Sequence, residues 1–152
     1  MSIEIQLFAA RHVAEAAELE RQCFAAPWTE QALREELDNP AALFLAAVDT
    51  DTGETVGYLG CHLILDEGYI ANVAVSPAHR RRGIGGKLVQ ALIERAQTGG
   101  ASFLTLEVRA SNEPALALYR HYGFRPVGVR PNFYEKPRED ALLMTRTFDE
   151  TN

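Results

Sequence analysis

Arg80-Arg81-Arg82-Gly83-Ile84-Gly85-Gly86-Lys87 follows closely on the apolar run Tyr69-Ile70-Ala71-Asn72-Val73-Ala74-Val75, and the fold is decided by this junction. The apolar run predicts a strand covered on both faces, which Ser76-Pro77 stops. A helix is expected from about Gly85 to Ala96, with Ile84, Leu88, Val89, Leu92 and Ile93 along one face. A helix N-terminus already carries about half a positive charge, so acidic residues normally belong there. Here three arginines precede the helix and Lys87 sits in its first turn. Four cations at that end repel one another unless an anion binds among them. The glycines let the backbone approach closely and aim consecutive N–H groups at one spot, the arrangement that cradles phosphates. The alternative is a solvated basic turn with a glycine hinge. The Walker spacing G-x-x-x-x-G-K-[ST] is absent, and Leu88 stands where a dinucleotide G-x-G-x-x-G loop needs its third glycine. A different phosphate-bearing ligand is required.

Upstream, Ile3 to Phe8 alternates as a strand, and His12 to Phe24 has helical spacing through Val13, Ala16, Ala17, Leu19 and Cys23. Pro27 ends that helix, and Thr29 caps a second one reaching Asn39-Pro40. Leu43 to Val48 and Thr55 to Leu65 form a hairpin about the turn Asp49 to Gly53. Downstream, Gly99-Gly100 closes the central helix, Phe103 to Val108 is another buried strand, and Asn112 to Tyr122 is a short helix closed by Gly123. Phe124 to Val129 and Ala141 to Phe148 are the last two strands. The order β-α-α-β-β-β-α-β-α-β-β predicts one α/β domain over residues 1–152, a mixed sheet with helices on both faces.

The 152 residues, 47% hydrophobic and 24% charged, have ordinary globular composition. Fifteen basic against 21 acidic residues give a formal charge of -6, wrong for a protein holding nucleic acid through its overall field and better suited to a basic partner. Cys23 and Cys61 fit neither a zinc site nor a Cys-x-x-Cys motif. His12, His62, His79 and His121 show no metal-ligand spacing, so no metal is expected. The start Met1-Ser2-Ile3-Glu4 resembles no secretory signal and no apolar run approaches 18 residues. A cytoplasmic protein without membrane contact is expected, as a monomer or weak dimer.

Arg80-x-x-Gly83-x-Gly85, after a buried strand and opening a helix, resembles the acetyl-CoA pyrophosphate loop of the GNAT N-acetyltransferases, and the element order is similar to that family throughout. Leu106-Glu107-Val108-Arg109-Ala110-Ser111-Asn112, Ala115-Leu116-Ala117-Leu118-Tyr119, Ala26-Pro27-Trp28-Thr29 and Arg138 to Met144 resemble its RimI branch, which acetylates the N-terminal alanine of a small-subunit ribosomal protein. The resemblance implies a mostly antiparallel sheet of about seven strands and acetyl-CoA as cosubstrate. It implies Glu107 as the base that takes the amine proton through water, and Tyr119 as the acid toward the coenzyme A thiolate. By residue type alone, Glu107 is a glutamate at a strand end and Tyr119 a core tyrosine on the Ala115, Leu118, Tyr122 stripe. Val73, Ala74 and Val75 are expected to offer backbone groups to the pantetheine arm, Arg80, Arg81, Arg82, Gly83, Ile84, Gly85 and Gly86 to bind pyrophosphate, and Asn112 to hold the same arm while capping its helix.

At pH 7, deprotonation costs about 1.3 kcal/mol for an α-amine and about 4.6 kcal/mol for a lysine. A modest carboxylate base therefore favours an α-amine. Glu135, Glu139 and Asp140, expected in or near the loop between the last two strands, would attract a basic N-terminus. Tyr134, Phe133 and, from the other side, Trp28 would wall the groove. Pro131 and Phe133 depart from the arginine-asparagine-paired-tyrosine run usual in that branch. A small-molecule amine, a lysine, or a non-catalytic acyl-CoA-binding role are the alternatives.

Overall fold

The computed structural model describes residues 2–148. The elements run β1 (Ile3–Leu7), α1 (Ala10–Cys23), α2 (Glu30–Glu36), β2 (Ala42–Asp49), β3 (Glu54–Ile64), β4 (Glu67–Val75), a 3-10 turn (Pro77–His79), α3 (Ile84–Thr98), β5 (Phe103–Arg109), α4 (Glu113–His121), β6 (Arg125–Glu135) and β7 (Arg138–Thr147). The strands form one sheet in the order β1-β2-β3-β4-β5-β7-β6. Every pairing is antiparallel except β4 with β5. This is the expected mixed, mostly antiparallel α/β architecture.

Strand alternation sends side chains to two separate cores. Leu45, Leu59, Ile70, Leu104, Leu106 and Val108 pack with Ile84, Leu88, Leu92 of α3 and Leu116 and Tyr119 of α4. Phe44, Tyr58 and Ala74 point the other way, against Val13, Ala16 and Ala17 of α1 and Leu33 of α2. Helices therefore cover both faces. Thr29 caps α2, its hydroxyl accepting from the Ala32 amide at 3.0 Å, and α2 ends at Glu36, a turn earlier than Asn39-Pro40 suggested.

Two irregularities in β4 shape the centre of the molecule. Against β3, Gly60 faces Asn72 while Cys61 faces Ile70, which leaves Ala71 as a bulge. Against β5, only Glu67, Gly68 and Tyr69 pair. Beyond Tyr69 the two parallel strands part, and the edge of Ile70–Val75 that faces β5 has no ladder partner. A wedge-shaped opening results between two inner strands.

The last hairpin corrects the sequence reading. β6 runs on to Glu135 and β7 begins at Arg138, so Glu135, Glu139 and Asp140 belong to strands and the turn is only Lys136-Pro137. Every residue of β6 except Tyr134 is exposed, so apolar alternation had nothing to register there.

Candidate active site

The loop from Val75 to α3 leads into a helix start whose first amides have no side-chain cap. Arg81 (φ 66°) and Gly83 (φ 74°) are both left-handed and turn the chain sharply into the helix. α3 is 15 residues long, has no side-chain cap and carries no acidic residue in its first turn. Its first intrahelical bond runs from the Lys87 amide to the Gly83 carbonyl at 3.0 Å, so the amides of Ile84, Gly85 and Gly86 point outward without intrahelical partners. The Arg80 guanidinium donates to Cys23 Sγ at 3.4 Å. Gly86 has a packing reason of its own, because a Cβ there would meet the Tyr122 hydroxyl at 2.8 Å. The Val75 carbonyl accepts from Cys23 Sγ at 3.4 Å. Asn112 caps α4, its Oδ1 accepting from the Ala115 amide at 3.2 Å.

Glu107 alternates away from Leu106 and Val108 and so emerges on the α1–α2 face, beside the opening. Its side chain is only 7% exposed. Tyr69 donates its hydroxyl to Oε1 at 2.5 Å, and Arg130 Nε reaches Oε2 at 2.8 Å. Burial and the neighbouring carboxylate push the Tyr69 phenol well above its ordinary pKa, so it remains a donor. Tyr119 lies on the opposite face, nearly buried, its ring edge-on to Phe124 at 5.6 Å. Burial, with a smaller contribution from Tyr134, raises its pKa strongly. Among the described residues nothing hydrogen-bonds its hydroxyl, while no buried side-chain oxygen lacks a partner. That hydroxyl therefore keeps some access to solvent.

The β6–β7 hairpin is clamped to the end of β5. Arg109 donates to the Pro137 carbonyl at 2.9 Å and the Lys136 carbonyl at 3.1 Å, and pairs with Glu139 at 3.2 Å. Its guanidinium covers the Tyr134 ring at 4.3 Å, and Phe133 meets that ring edge-on at 5.0 Å. Glu139 also accepts from the Ser111 amide, and Asp140 from the Asn132 amide. Two of the three expected peptide-attracting carboxylates are thus already engaged, leaving Glu135. Trp28 packs toward Phe44, ring centroids 6.2 Å apart, in the α1–α2 core.

Sequence reasoning missed Tyr69, Arg130 and Arg109 as partners, and it missed Glu20. That carboxylate is fully buried and accepts from the Tyr58 hydroxyl, the Asn72 amide at 2.9 Å and the Trp28 backbone amide at 2.9 Å. It ties α1 to β3, β4 and the α1–α2 connector. The signal was available: Glu20 falls on the Val13, Ala16, Ala17 stripe, where a charge needs an explanation. Among the described residues no His, Cys, Asp and Glu side chains group to hold a metal ion, and no helix is long and apolar enough to cross a membrane.

Comparison with known proteins bears on this geometry. Residues 13–124 match the model of the acetyltransferase (GNAT) family. A Bacillus subtilis (strain 168) protein, provisionally named a [ribosomal protein bS18]-alanine N-acetyltransferase, is 38% identical over 134 residues, which are 88% of this chain and 87% of the relative. The crystal structure of the ribosomal-protein-S18-alanine N-acetyltransferase from Escherichia coli superposes with a TM-score of 0.90 at 29% identity, over 99% of this chain and 97% of that one. A chain of the NatC complex bound to Gag peptide and CoA superposes at 0.87 with 26% identity, over 98% and 100%.

Proposed function

The chain belongs to the acetyltransferase (GNAT) family and is an acyltransferase, and on that premise we propose that it acetylates the N-terminal α-amine of a protein. The proposed substrate is the N-terminal alanine of small-subunit ribosomal protein bS18, with acetyl-CoA as donor and residues 1–152 acting as one catalytic domain. The relatives' names support this acceptor. The observation that carries the reading is the parting of β4 from β5 after Tyr69, on a β4 that leads through the Arg80–Gly83 turn to the uncapped start of α3.

The residues present fit acetyl-CoA. The amides of Ile84, Gly85 and Gly86, with the turn Arg80–Gly83, receive the pyrophosphate. The unpaired edge of β4 at Val73, Ala74 and Val75 receives the pantetheine amides by strand addition. Cys23 already engages the Val75 carbonyl, so other backbone groups of that edge do this work. Asn112, whose Oδ1 caps α4, holds the pantetheine arm or its phosphate end. Acetyl-CoA supplies an activated acyl group, which the neutral amine attacks at the carbonyl carbon as the carbon–sulfur bond breaks.

Glu107 takes the amine proton through an intervening water, with Tyr69 holding the carboxylate in place. Tyr119 faces the departing sulfur. A phenol near pKa 10 gives its proton to a thiolate with conjugate acid near 8.5 at a cost of about 2 kcal/mol, and burial of Tyr119 increases that cost. Its proton therefore moves as the carbon–sulfur bond breaks rather than before, and its hydrogen bond stabilises the charge growing on sulfur. Tyr134, with Phe133, lines the peptide groove opposite the Trp28 connector, and Glu135 meets a basic side chain.

The test incubates the protein with acetyl-CoA and either of two peptides, following free thiol and peptide mass. One peptide has a free N-terminal alanine followed by basic residues; the other has a blocked N-terminus and an internal lysine. Acetylation of the first alone is expected. Acetylation of the second alone would replace the reading with lysine transfer. Reaction with neither, while acetyl-CoA binds, would turn attention to small amines.

A further inference from the structure

Both oxygens of Glu107 are occupied in the free protein. Oε1 accepts from Tyr69 at 2.5 Å, and Oε2 pairs with Arg130 at 2.8 Å. Each oxygen keeps a second lone pair, but with the side chain only 7% exposed an ammonium that approaches the carboxylate must do so where Tyr69 or Arg130 now stands. The two partners are not equivalent. Tyr69 is neutral and stands on an inner strand, opposite Thr105 and one pleat from Glu107, where the β4–β5 ladder fixes it. Arg130 is a cation on the edge strand β6, 55% exposed, at the register break that separates Arg130 from Tyr134 in the pairing with β7. An α-amine arrives largely as an ammonium at pH 7, so exchanging it for a guanidinium keeps the charge of the pocket constant. Exchanging it for a phenol would not.

We propose that the Arg130 guanidinium is an internal stand-in for the substrate's amino group, seated on Glu107 in the free enzyme and displaced by the incoming N-terminal ammonium together with the water that relays its proton. Arg130 is then a specificity-determining residue. Only a chain end that brings its own positive charge exchanges with it, and the acetylated product, having lost that charge, lets the guanidinium return. Tyr69 stays throughout and holds the carboxylate for the substrate. This rests on the peptide reading above.

The experiment measures steady-state kinetics of wild type, Arg130→Ala and Arg130→Lys with the free-alanine peptide, together with inhibition by the acetylated peptide product. Acetyl-CoA affinity serves as the check of folding. A half-exposed ion pair competes weakly, so Arg130→Ala is expected to lower the peptide KM by about three- to fivefold, with kcat changed by less. Arg130→Lys keeps the cation and stays nearer the wild-type KM. Product inhibition does not tighten in step, because the product brings no charge to Glu107. Methylguanidinium, a soluble copy of the lost group, inhibits Arg130→Ala competitively with peptide and leaves wild type untouched.

The inference is overturned if the peptide KM of Arg130→Ala stays within twofold of wild type or rises. A kcat collapse with KM unchanged would likewise overturn it, making Arg130 part of the chemistry. Equal tightening of substrate and product would show a merely widened groove. If Arg130→Ala loses acetyl-CoA binding, Arg130→Gln, which keeps most of the length without the charge, is judged by the same limits. Wild type that acetylates neither peptide would defeat the peptide reading itself, before any variant is compared, and the exchange with it.

Discussion

Replacing Tyr58 by phenylalanine removes one oxygen from a site with no access to water, and the consequences can be worked out in sign and size. Tyr58 and Glu20 are both fully buried. Glu20 keeps the Trp28 and Asn72 donors at 2.9 Å each but loses the phenol. A hydrogen bond to a buried charged group is worth about 1.5–3 kcal/mol. At about 2–4 °C per kcal/mol for a chain of this size, a loss of about 2 kcal/mol lowers the Tm by about 4–8 °C. The pH dependence is the sharper signature. Burial raises the pKa of Glu20, and the Tyr58, Trp28 and Asn72 bonds pull it partly back. A carboxyl with a raised folded-state pKa binds more protons folded than unfolded, so stability falls as pH rises from the unfolded value, about 4.3, through the folded one. Losing the phenol raises that folded value further and extends the window upward. The deficit of Tyr58→Phe should therefore grow between pH 5 and pH 8. Urea denaturation of both proteins at the two pH values measures it. A deficit equal at both, or larger at pH 5, would refute the account of Glu20 as an ionised carboxylate that needs its donors.

Three predictions concern the reaction. Glu107→Gln should lower kcat by about 10²-fold or more, leaving acetyl-CoA affinity within about twofold by calorimetry, since the proposed acetyl-CoA contacts do not include it. Tyr119→Phe should lower kcat by about tenfold or more with the KM for acetyl-CoA nearly unchanged; a rise in that KM alone would make it a binding residue. Gly85→Glu should abolish measurable acetyl-CoA binding, because the added side chain brings a negative charge to the proposed pyrophosphate site; retained binding would move the pyrophosphate elsewhere.

What the sequence disclosed and what it withheld follow from how locally each feature is written. The sharp turn into α3 was legible because its anomaly, cations at a helix N-terminus beside glycines, lies within eight residues. The element order was legible because strands and helices change period where β2, α3 and β5 begin. The hairpin of β6 and β7 was cut short because Pro131, Pro137 and a run of exposed charges erase the alternation that marks a strand. The setting of Glu107 was illegible for another reason. Tyr69, Arg130 and the hairpin around Tyr134 come from separate strands, and only the sheet order β4-β5-β7-β6 gathers them about one carboxylate.

The Ala71 bulge shows how one residue of backbone decides the chemistry of a whole strand. Strict alternation along Tyr69-Ile70-Ala71-Asn72-Val73-Ala74-Val75 puts Tyr69 on the face of Val73 and Val75, in the core beneath α3. In that register its hydroxyl would be buried in an apolar core, far from any carboxylate. The extra residue reverses the phase. Ile70 joins Val73 and Val75 in that core, while Tyr69 and Asn72, three apart, emerge together on the other face. There Asn72 reaches Glu20 and Tyr69 reaches Glu107. The same irregularity lies where β4 leaves β5, so one backbone feature places a donor on the candidate base and opens the space beside it. Deleting Ala71 would leave a strand that alternates strictly with Tyr69 still on the face of Asn72 and Ile70 still on that of Val73, so it removes the irregularity without moving the donor. That variant should keep the Tyr69–Glu107 bond and lose acetyl-CoA binding as the opening closes, and retained acetyl-CoA binding would mean that the opening is not set by the bulge.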